Sequence, residues 1–147
     1  MSFDGFFIKN LITEIMPDIL NLRVDRVYSS LNHFYLKLGK KYLVFNVAPN
    51  KGYFYLSDKY INDFSNEFLK SLKKNLEGAK LTDIKQLGTD RVISFSFLTN
   101  DLISGLKPIS LVFEAFGKDL NLILITDDNK VIDAYKKNPA LDSRTIL

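Results

Sequence analysis

The sequence predicts an α+β domain with mostly antiparallel sheets and two main helices. Two segments with apolar residues at helical spacing alternate with groups of short strand-like segments, several of them joined by tight turns. The order helix, strands, helix, strands is typical of α+β domains, whereas α/β domains insert a helix after nearly every strand. With 147 residues, the chain has the length of one domain, expected to cover residues 1–147.

The first helical segment lies at the amino terminus. Every fourth residue is apolar, and Ile8 and Ile12 widen the apolar face. The repeating positions are Phe3, Phe7, Leu11 and Ile15. Ser2 or Asp4 is the expected cap, and Pro17 is expected to end or kink the helix because proline cannot donate a backbone hydrogen bond.

The second helix is expected from Ser57 to Glu77, with Gly78 as its carboxy-terminal stop. The strand-like segments are 34–38, 42–47, 53–56, 91–98, 109–116, 121–126 and 131–135. The residues Gly39-Lys40-Lys41 between the first two predict a hairpin. Residues 99–108 are predicted to form the longest loop.

Composition limits the chemistry that the chain can perform. There is no cysteine, so disulfides and thiolate sites are excluded, and His33 is the single histidine. Neither a catalytic triad nor a zinc site is therefore expected, and we predict no enzymatic activity, cofactor or metal. The sequence has no membrane-spanning apolar run and no signal peptide, which predicts a cytoplasmic protein without a membrane partner. A net charge of +3 permits an RNA partner without requiring one.

Two groups of polar residues are candidates for RNA binding. Lys73 and Lys74 share the polar side of the second helix with Lys70, although an ordinary solvated helix face, with Glu67 and Glu77 as ion-pair partners, is the favoured interpretation of the lysines alone. Asp90 and Arg91 follow a glycine turn at the entry to a strongly apolar strand. Physical chemistry alone narrowly favours a surface ion pair there, but the planar guanidinium also suits phosphate groups and base edges.

Four sequence blocks, in the same order, resemble the NFACT amino-terminal domain family, called fibronectin-binding protein A in bacteria. The resemblance covers nearly the whole chain, and its leading block is the third, Gln86 to Arg91, which matches the family's Q-x-G-x-D-R signature. The blocks are Phe3-Asp4-Gly5, Leu72 to Gly78, Gln86 to Arg91 and Glu114 to Asn121. The chain stops at Ser143 to Leu147, inside what resembles the family's R-x-x-x-P-G segment, so the resemblance implies a fragment of a longer multidomain protein.

The resemblance implies a function. It implies a ribosome quality-control factor that binds large ribosomal subunits carrying stalled peptidyl-tRNA and recruits alanyl-tRNA for template-free tailing of the nascent chain. The implied partners are tRNA and the large ribosomal subunit. The implied RNA-binding residues are Asp90, Arg91, Lys73, Lys74, Lys118 and Asn121.

The resemblance also implies a fold and two alternative functions. The implied fold is a β-sandwich-like domain that resembles the amino-terminal domain of formamidopyrimidine-DNA glycosylases. A fibronectin-binding adhesin is one alternative, and a glycosylase-like nucleic-acid-binding domain without catalysis is the other. This chain departs from the family at Lys73 and Lys118, where arginine is usual, and at Asn75 and Leu120. Lysine keeps the charge but loses bidentate contacts.

Overall fold

The computed structural model describes residues 5–88, 91–103, 105–115 and 120–137. Two helices and nine strands are found in this part of the chain, in an order that confirms the α+β prediction. They are α1 (Gly5–Ile19), β1 (Val24–Ser30), β2 (His33–Leu38), β3 (Lys41–Asn46), β4 (Tyr53–Ser57), α2 (Glu67–Leu76), β5 (Lys80–Gln86), β6 (Val92–Asp101), β7 (Gly105–Glu114), β8 (Asn121–Thr126) and β9 (Val131–Ala134).

The strands form two antiparallel sheets, each in chain order. One sheet has the order β1-β2-β3-β4 and the other β5-β6-β7-β8-β9. The helices separate the strand groups, since α1 precedes the first sheet and α2 connects the two. The predicted antiparallel pairing and the β2–β3 hairpin are both confirmed, with Leu38 paired to Lys41 across the turn.

The two sheets meet through four phenylalanine rings, as expected for a sandwich-like domain. Phe45 and Phe54 belong to the first sheet, and both contact Phe95 of the second edge to face, with centroid distances of 5.0 and 5.3 Å. The ring centroids of Phe113 and Phe45 lie 5.6 Å apart, also edge to face. Edge-to-face contacts of this kind stabilise a core beyond the burial of apolar area alone.

Both helices bury one face against this core. In α1 the fully buried residues are Ile8 and Ile19, and each such side chain contributes roughly 1.5–3 kcal/mol through the hydrophobic effect. Helix α1 passes through Pro17 and ends at Ile19, so Pro17 does not end the helix, and the alternative expectation of a kink at Pro17 stays a prediction. Both proposed caps, Ser2 and Asp4, lie outside the described residues.

The second helix is shorter than predicted, because it begins at Glu67 and not at Ser57. Asn66 provides the reason, since its side-chain oxygen accepts a hydrogen bond from the backbone amide of Leu69 over 2.7 Å and so caps the helix. Upstream, the amides of Asp63 and Phe64 both donate to the carbonyl of Ser29 on β1. The segment before α2 is therefore tied to a sheet edge.

The predicted loop at 99–108 is also wrong. Strands β6 and β7 continue through it, with Thr99 paired to Lys107 and Asp101 paired to Gly105. Gly105 has a φ of 77°, a left-handed conformation that glycine adopts without strain, so a short turn suffices. The polar residues that suggest a loop lie instead near the end of a long hairpin.

Two strands, β1 and β5, were missed by the sequence analysis. Each contains a register irregularity, between Val24 and Val27 in one and between Leu81 and Asp83 in the other. A bulge of this type interrupts the alternation of buried and exposed side chains on which strand prediction depends. The likeness to glycosylase domains and the single-domain extent 1–147 both stay predictions.

Candidate functional site

Two of the four sequence blocks meet through one side chain. The Gln86 amide nitrogen donates a hydrogen bond to the carbonyl oxygen of Gly5 over 3.1 Å, and the bond is partly buried. Gly5 is the first residue of α1 and Gln86 is the last residue of β5. The bond therefore joins the start of the chain to the segment that leads into the Asp90-Arg91 pair.

The turn after Gln86 is held by backbone hydrogen bonds on both sides. The amide of Leu87 donates to the carbonyl of Val92 over 2.8 Å, and the amide of Ala115 donates to the carbonyl of Arg91 over 2.8 Å. Gly88 has a φ of 70°, which favours glycine at this turn. We call Gly5, Gln86 to Gly88, Arg91 and Ala115 the motif corner.

The motif corner presents one described cation to solvent. Arg91 is exposed, although its backbone carbonyl is fixed by Ala115. An exposed guanidinium on a fixed backbone suits the recognition of phosphate or of base edges. Asp90, its predicted partner, lies outside the described residues, as does Lys118. Ala115 and Leu120, which flank the segment that contains Lys118, are both buried.

Asn121 is placed as a structural residue. Its side chain is buried, its oxygen accepts from the amides of Leu122 and Lys136 at 2.9 and 2.8 Å, and its nitrogen donates to the carbonyl of Lys136 at 3.0 Å. These contacts join β8 to the segment after β9. An RNA contact by this side chain stays a prediction, but the polar atoms of the amide are already engaged.

Lys73 and Lys74 lie in the last turn of α2 and are exposed, so they are available to an RNA. Cations at this end of a helix also stabilise it through the helix dipole. The expected helix-face pairing holds for Lys70, which forms an ion pair with Glu67 at 3.3 Å. Glu77, by contrast, accepts a hydrogen bond from the amide of Val27 over 2.9 Å.

A cleft of about 680 Å³ lies between α1 and the end of β5, beside the motif corner. Its polar lining combines two lysines, one from each wall, with the Gln86 side chain, and its apolar lining includes an exposed phenylalanine. The lining residues are Gly5, Phe6, Lys9, Ile12, Thr13, Ile84, Lys85, Gln86 and Gly88. Phe6, Lys9 and Lys85 are not among the RNA-binding residues predicted from the sequence.

A signal for these residues exists in the sequence, but it is weak. Phe6, Lys9 and Thr13 recur at the i, i+3, i+7 spacing that places residues on one side of a helix. Because more strongly apolar residues lie between them in the sequence, these three positions are typical of an ordinary solvated helix face. Only the packing of α1 on β5 shows that this side forms the wall of a cleft.

Within the described ranges, no cluster of three or more histidine, cysteine or acidic side chains has the arrangement of a metal site. His33 lies on β2 and is half-buried, and burial lowers its pKa from the ordinary value of 6.5. Its Nδ1 lies 3.4 Å from the hydroxyl of Ser30. Among the helices in the part of the chain with assigned structure, none is long and apolar enough to cross a membrane.

The two-sheet α+β fold is similar to the fold of solved amino-terminal domains of bacterial fibronectin-binding proteins. The solved amino-terminal structure of the fibronectin/fibrinogen-binding protein from Streptococcus suis superposes with a TM-score of 0.87 at 28% sequence identity. That match covers 99% of this chain and 58% of the solved one.

The chain belongs to the family described as NFACT N-terminal and middle domains, whose sequence pattern matches residues 4–147. It is 28% identical over 156 residues to "Rqc2 homolog RqcH" of Streptococcus suis, covering 92% of this chain and 26% of that protein. It is 26% identical over 102 residues to "Ribosome quality control complex subunit 2" of Schizosaccharomyces pombe, covering 65% of this chain and 10% of that protein. The chain thus spans about a quarter of the first relative and a tenth of the second.

Proposed function

We propose that this chain is the RNA-binding amino-terminal domain of a ribosome-associated quality-control factor, and that the motif corner is where it holds tRNA. The name of the Schizosaccharomyces pombe relative supports the ribosome-linked role. In this proposal the domain binds RNA without performing catalysis and works in the cytoplasm, as part of a protein that engages large ribosomal subunits carrying stalled peptidyl-tRNA.

One observation carries the proposal. The carbonyl of Arg91 accepts the amide of Ala115 at 2.8 Å, while the Arg91 side chain is exposed. A binding arginine gains affinity when its backbone is already ordered, because less conformational entropy is lost on binding. Arg91 is therefore the first described residue that we assign to tRNA, with Asp90 beside it in sequence and with Lys73 and Lys74 as accessory phosphate contacts.

The proposal extends to the activity of the full-length factor. The full-length factor recruits alanyl-tRNA so that the stalled nascent chain is extended without a template. The domain contributes tRNA positioning, and its glycosylase-like sandwich supplies the framework without glycosylase chemistry. A strand-cleavage assay on damaged duplex DNA tests this last point: no cleavage is expected, and robust activity overturns it.

The tailing assay is the main test. The full-length protein carrying Asp90→Ala or Arg91→Ala is compared with the wild type for alanine tails on stalled chains, with Lys40→Ala in the β2–β3 turn as a matched exposed control. We expect the Asp90→Ala and Arg91→Ala variants each to lose at least tenfold in tailing while their circular dichroism spectra stay native. Unchanged tailing in both of these variants removes the assignment.

Fibronectin binding is a second candidate function, favoured by the name of the solved Streptococcus suis relative. Surface plasmon resonance of the full-length protein over immobilised fibronectin tests it. Saturable binding that survives at 0.3 M salt would support this function. Binding that disappears at that salt concentration would identify non-specific attraction to a basic protein, because exposed charges are strongly screened there.

A further inference from the structure

We propose that the cleft between α1 and β5 binds an unpaired stretch of RNA, with Phe6 stacking on a base and with Lys9 and Lys85 contacting the flanking phosphates. This inference rests on the proposed function, because it gives the motif corner its ligand chemistry. It assigns a site to three residues outside all four sequence blocks that define the family resemblance.

The two walls of the cleft are fixed to each other. Ile12 and Ile84 line the cleft, are nearly fully buried and belong to the main core cluster. The bond from Gln86 to the carbonyl of Gly5, two further lining residues, joins the last residue of β5 to the first residue of α1. The cleft is therefore a pre-formed feature, and a ligand does not have to open it.

The polar lining suits a polyanion. Lys9 stands on the α1 wall and Lys85 on the β5 wall, and both are exposed. Of the ion pairs found in the described ranges, none involves either lysine. Two lysines on opposite walls of one cleft attract a negatively charged chain that passes between them, and phosphate contacts of this kind dominate the affinity of proteins for nucleic acids.

The aromatic ring supplies the second part of the chemistry. Phe6 is 78% exposed although it lies on the helix that also carries four fully or nearly fully buried isoleucines. An exposed aromatic ring beside cations is the combination that binds single strands, because every base presents a flat face for stacking. A duplex hides these faces, so the cleft favours unpaired nucleotides such as those in RNA loops and ends.

The test uses fluorescence anisotropy with the full-length protein and a fluorescein-labelled eight-nucleotide single-stranded RNA. Phe6→Ala is expected to weaken binding at least fivefold, and Lys9→Glu or Lys85→Glu about tenfold. Phe6→Tyr preserves a stacking face and is expected to stay within twofold of wild type. Lys40→Glu makes the same charge change in the β2–β3 turn and serves as the control, also expected within twofold.

Two further measurements test the phosphate contacts and the preference for unpaired RNA separately. The double variant Lys9→Ala with Lys85→Ala is expected to reduce the slope of log K against log salt by about 1 to 2, the value for two phosphate contacts. The same sequence as a duplex is expected to bind at least fivefold more weakly. Equal affinity for duplex and single strand would overturn the assignment of an unpaired ligand.

Failure of this inference is distinguishable from failure of the proposed function. If Arg91→Ala weakens tRNA binding while the Phe6, Lys9 and Lys85 variants bind all RNA normally, the cleft is not an RNA site and the proposed function stands. A cleft that instead contacts a protein would give this same result. If the wild type binds the oligonucleotide but no tRNA, and the cleft variants lose oligonucleotide binding, the cleft assignment holds and the tRNA assignment falls.

Discussion

The side chain of Gln86 holds the carbonyl of Gly5 through a 3.1 Å hydrogen bond that spans 81 positions of the sequence. The bond connects the amino-terminal helix to the strand that precedes Arg91, and both bonded residues line the cleft. The two bonded residues belong to different sequence blocks, so one role of these blocks is structural. They position the turn from which Arg91 extends.

Gln86→Ala is expected to destabilise the domain by about 1 kcal/mol, the usual cost of losing one partly buried hydrogen bond. Because the protein has no tryptophan, urea unfolding is best followed by circular dichroism. Thr82→Ala on the same strand removes an exposed hydrogen bond to the carbonyl of Ser96 and serves as the control, with a change within about 0.5 kcal/mol. Equal stability of the two variants would show that the Gly5 bond contributes nothing.

Asn121→Ala is expected to lower the free energy of unfolding by about 2–3 kcal/mol, more than Gln86→Ala does. Three backbone groups of Leu122 and Lys136 lose a hydrogen-bond partner next to the core. Asn121→Asp keeps the acceptor oxygen but places a second oxygen opposite the carbonyl of Lys136, so it too is expected to destabilise. The measurement is the urea midpoint of each variant. A native midpoint combined with weakened RNA binding would instead assign Asn121 to the RNA.

The fold class could be predicted because it depends on local spacing. The apolar repeat of α1, the alternation of Ile93, Phe95 and Phe97 in β6 and the turn at Gly39 are each visible within a few neighbouring residues. The end of α2 could also be predicted, since Gly78 adopts a φ of 89° directly after the last turn.

The errors have long-range causes. The start of α2 depends on Asn66 as a cap and on Ser29, which binds the backbone of residues 63 and 64 from a strand far away in sequence. Apolar residues such as Ile61 continue the helical spacing, but they are exposed, so the spacing there carries no packing information. Periodicity alone cannot show where a tertiary contact replaces a helix.

The site could be predicted only where it is a linear motif. Gln86 to Arg91 forms one continuous segment, and the resemblance identifies it from sequence. The cleft is built from residues near position 9 and near position 85. No local pattern links such distant positions, and the pairing of α1 with β5 had to be seen in three dimensions.

Phe95→Ala is expected to destabilise the domain by about 3–5 kcal/mol, since Phe95 is fully buried and contacts Phe45 and Phe54 at the junction of the two sheets. Phe95→Leu retains most of the apolar volume and is expected to cost clearly less. Urea unfolding measures both variants. A loss below 1 kcal/mol for the alanine variant would contradict the description of a shared core between the sheets.

The stability of the domain is expected to fall as the pH drops below about 6.5, the ordinary histidine value. Burial lowers the pKa of His33 in the folded state, so the unfolded chain binds the proton first and is favoured by acid. His33→Gln removes this contribution. The urea midpoints at pH 7.5 and at pH 5.5 are expected to differ less for the variant than for wild type. An equal difference would show that His33 does not cause the loss of stability in acid.

In the proposed function, Arg91 binds tRNA from a turn that backbone hydrogen bonds hold in place. Filter binding of radiolabelled tRNA to the full-length protein tests this role, with Arg91→Ala and Arg91→Lys compared with Lys40→Ala. We expect the alanine variant to lose at least tenfold in affinity, the lysine variant to lose less because the charge remains, and the control to match wild type. Wild-type affinity in the Arg91→Ala protein, with its fold intact, would show that Arg91 does not bind tRNA.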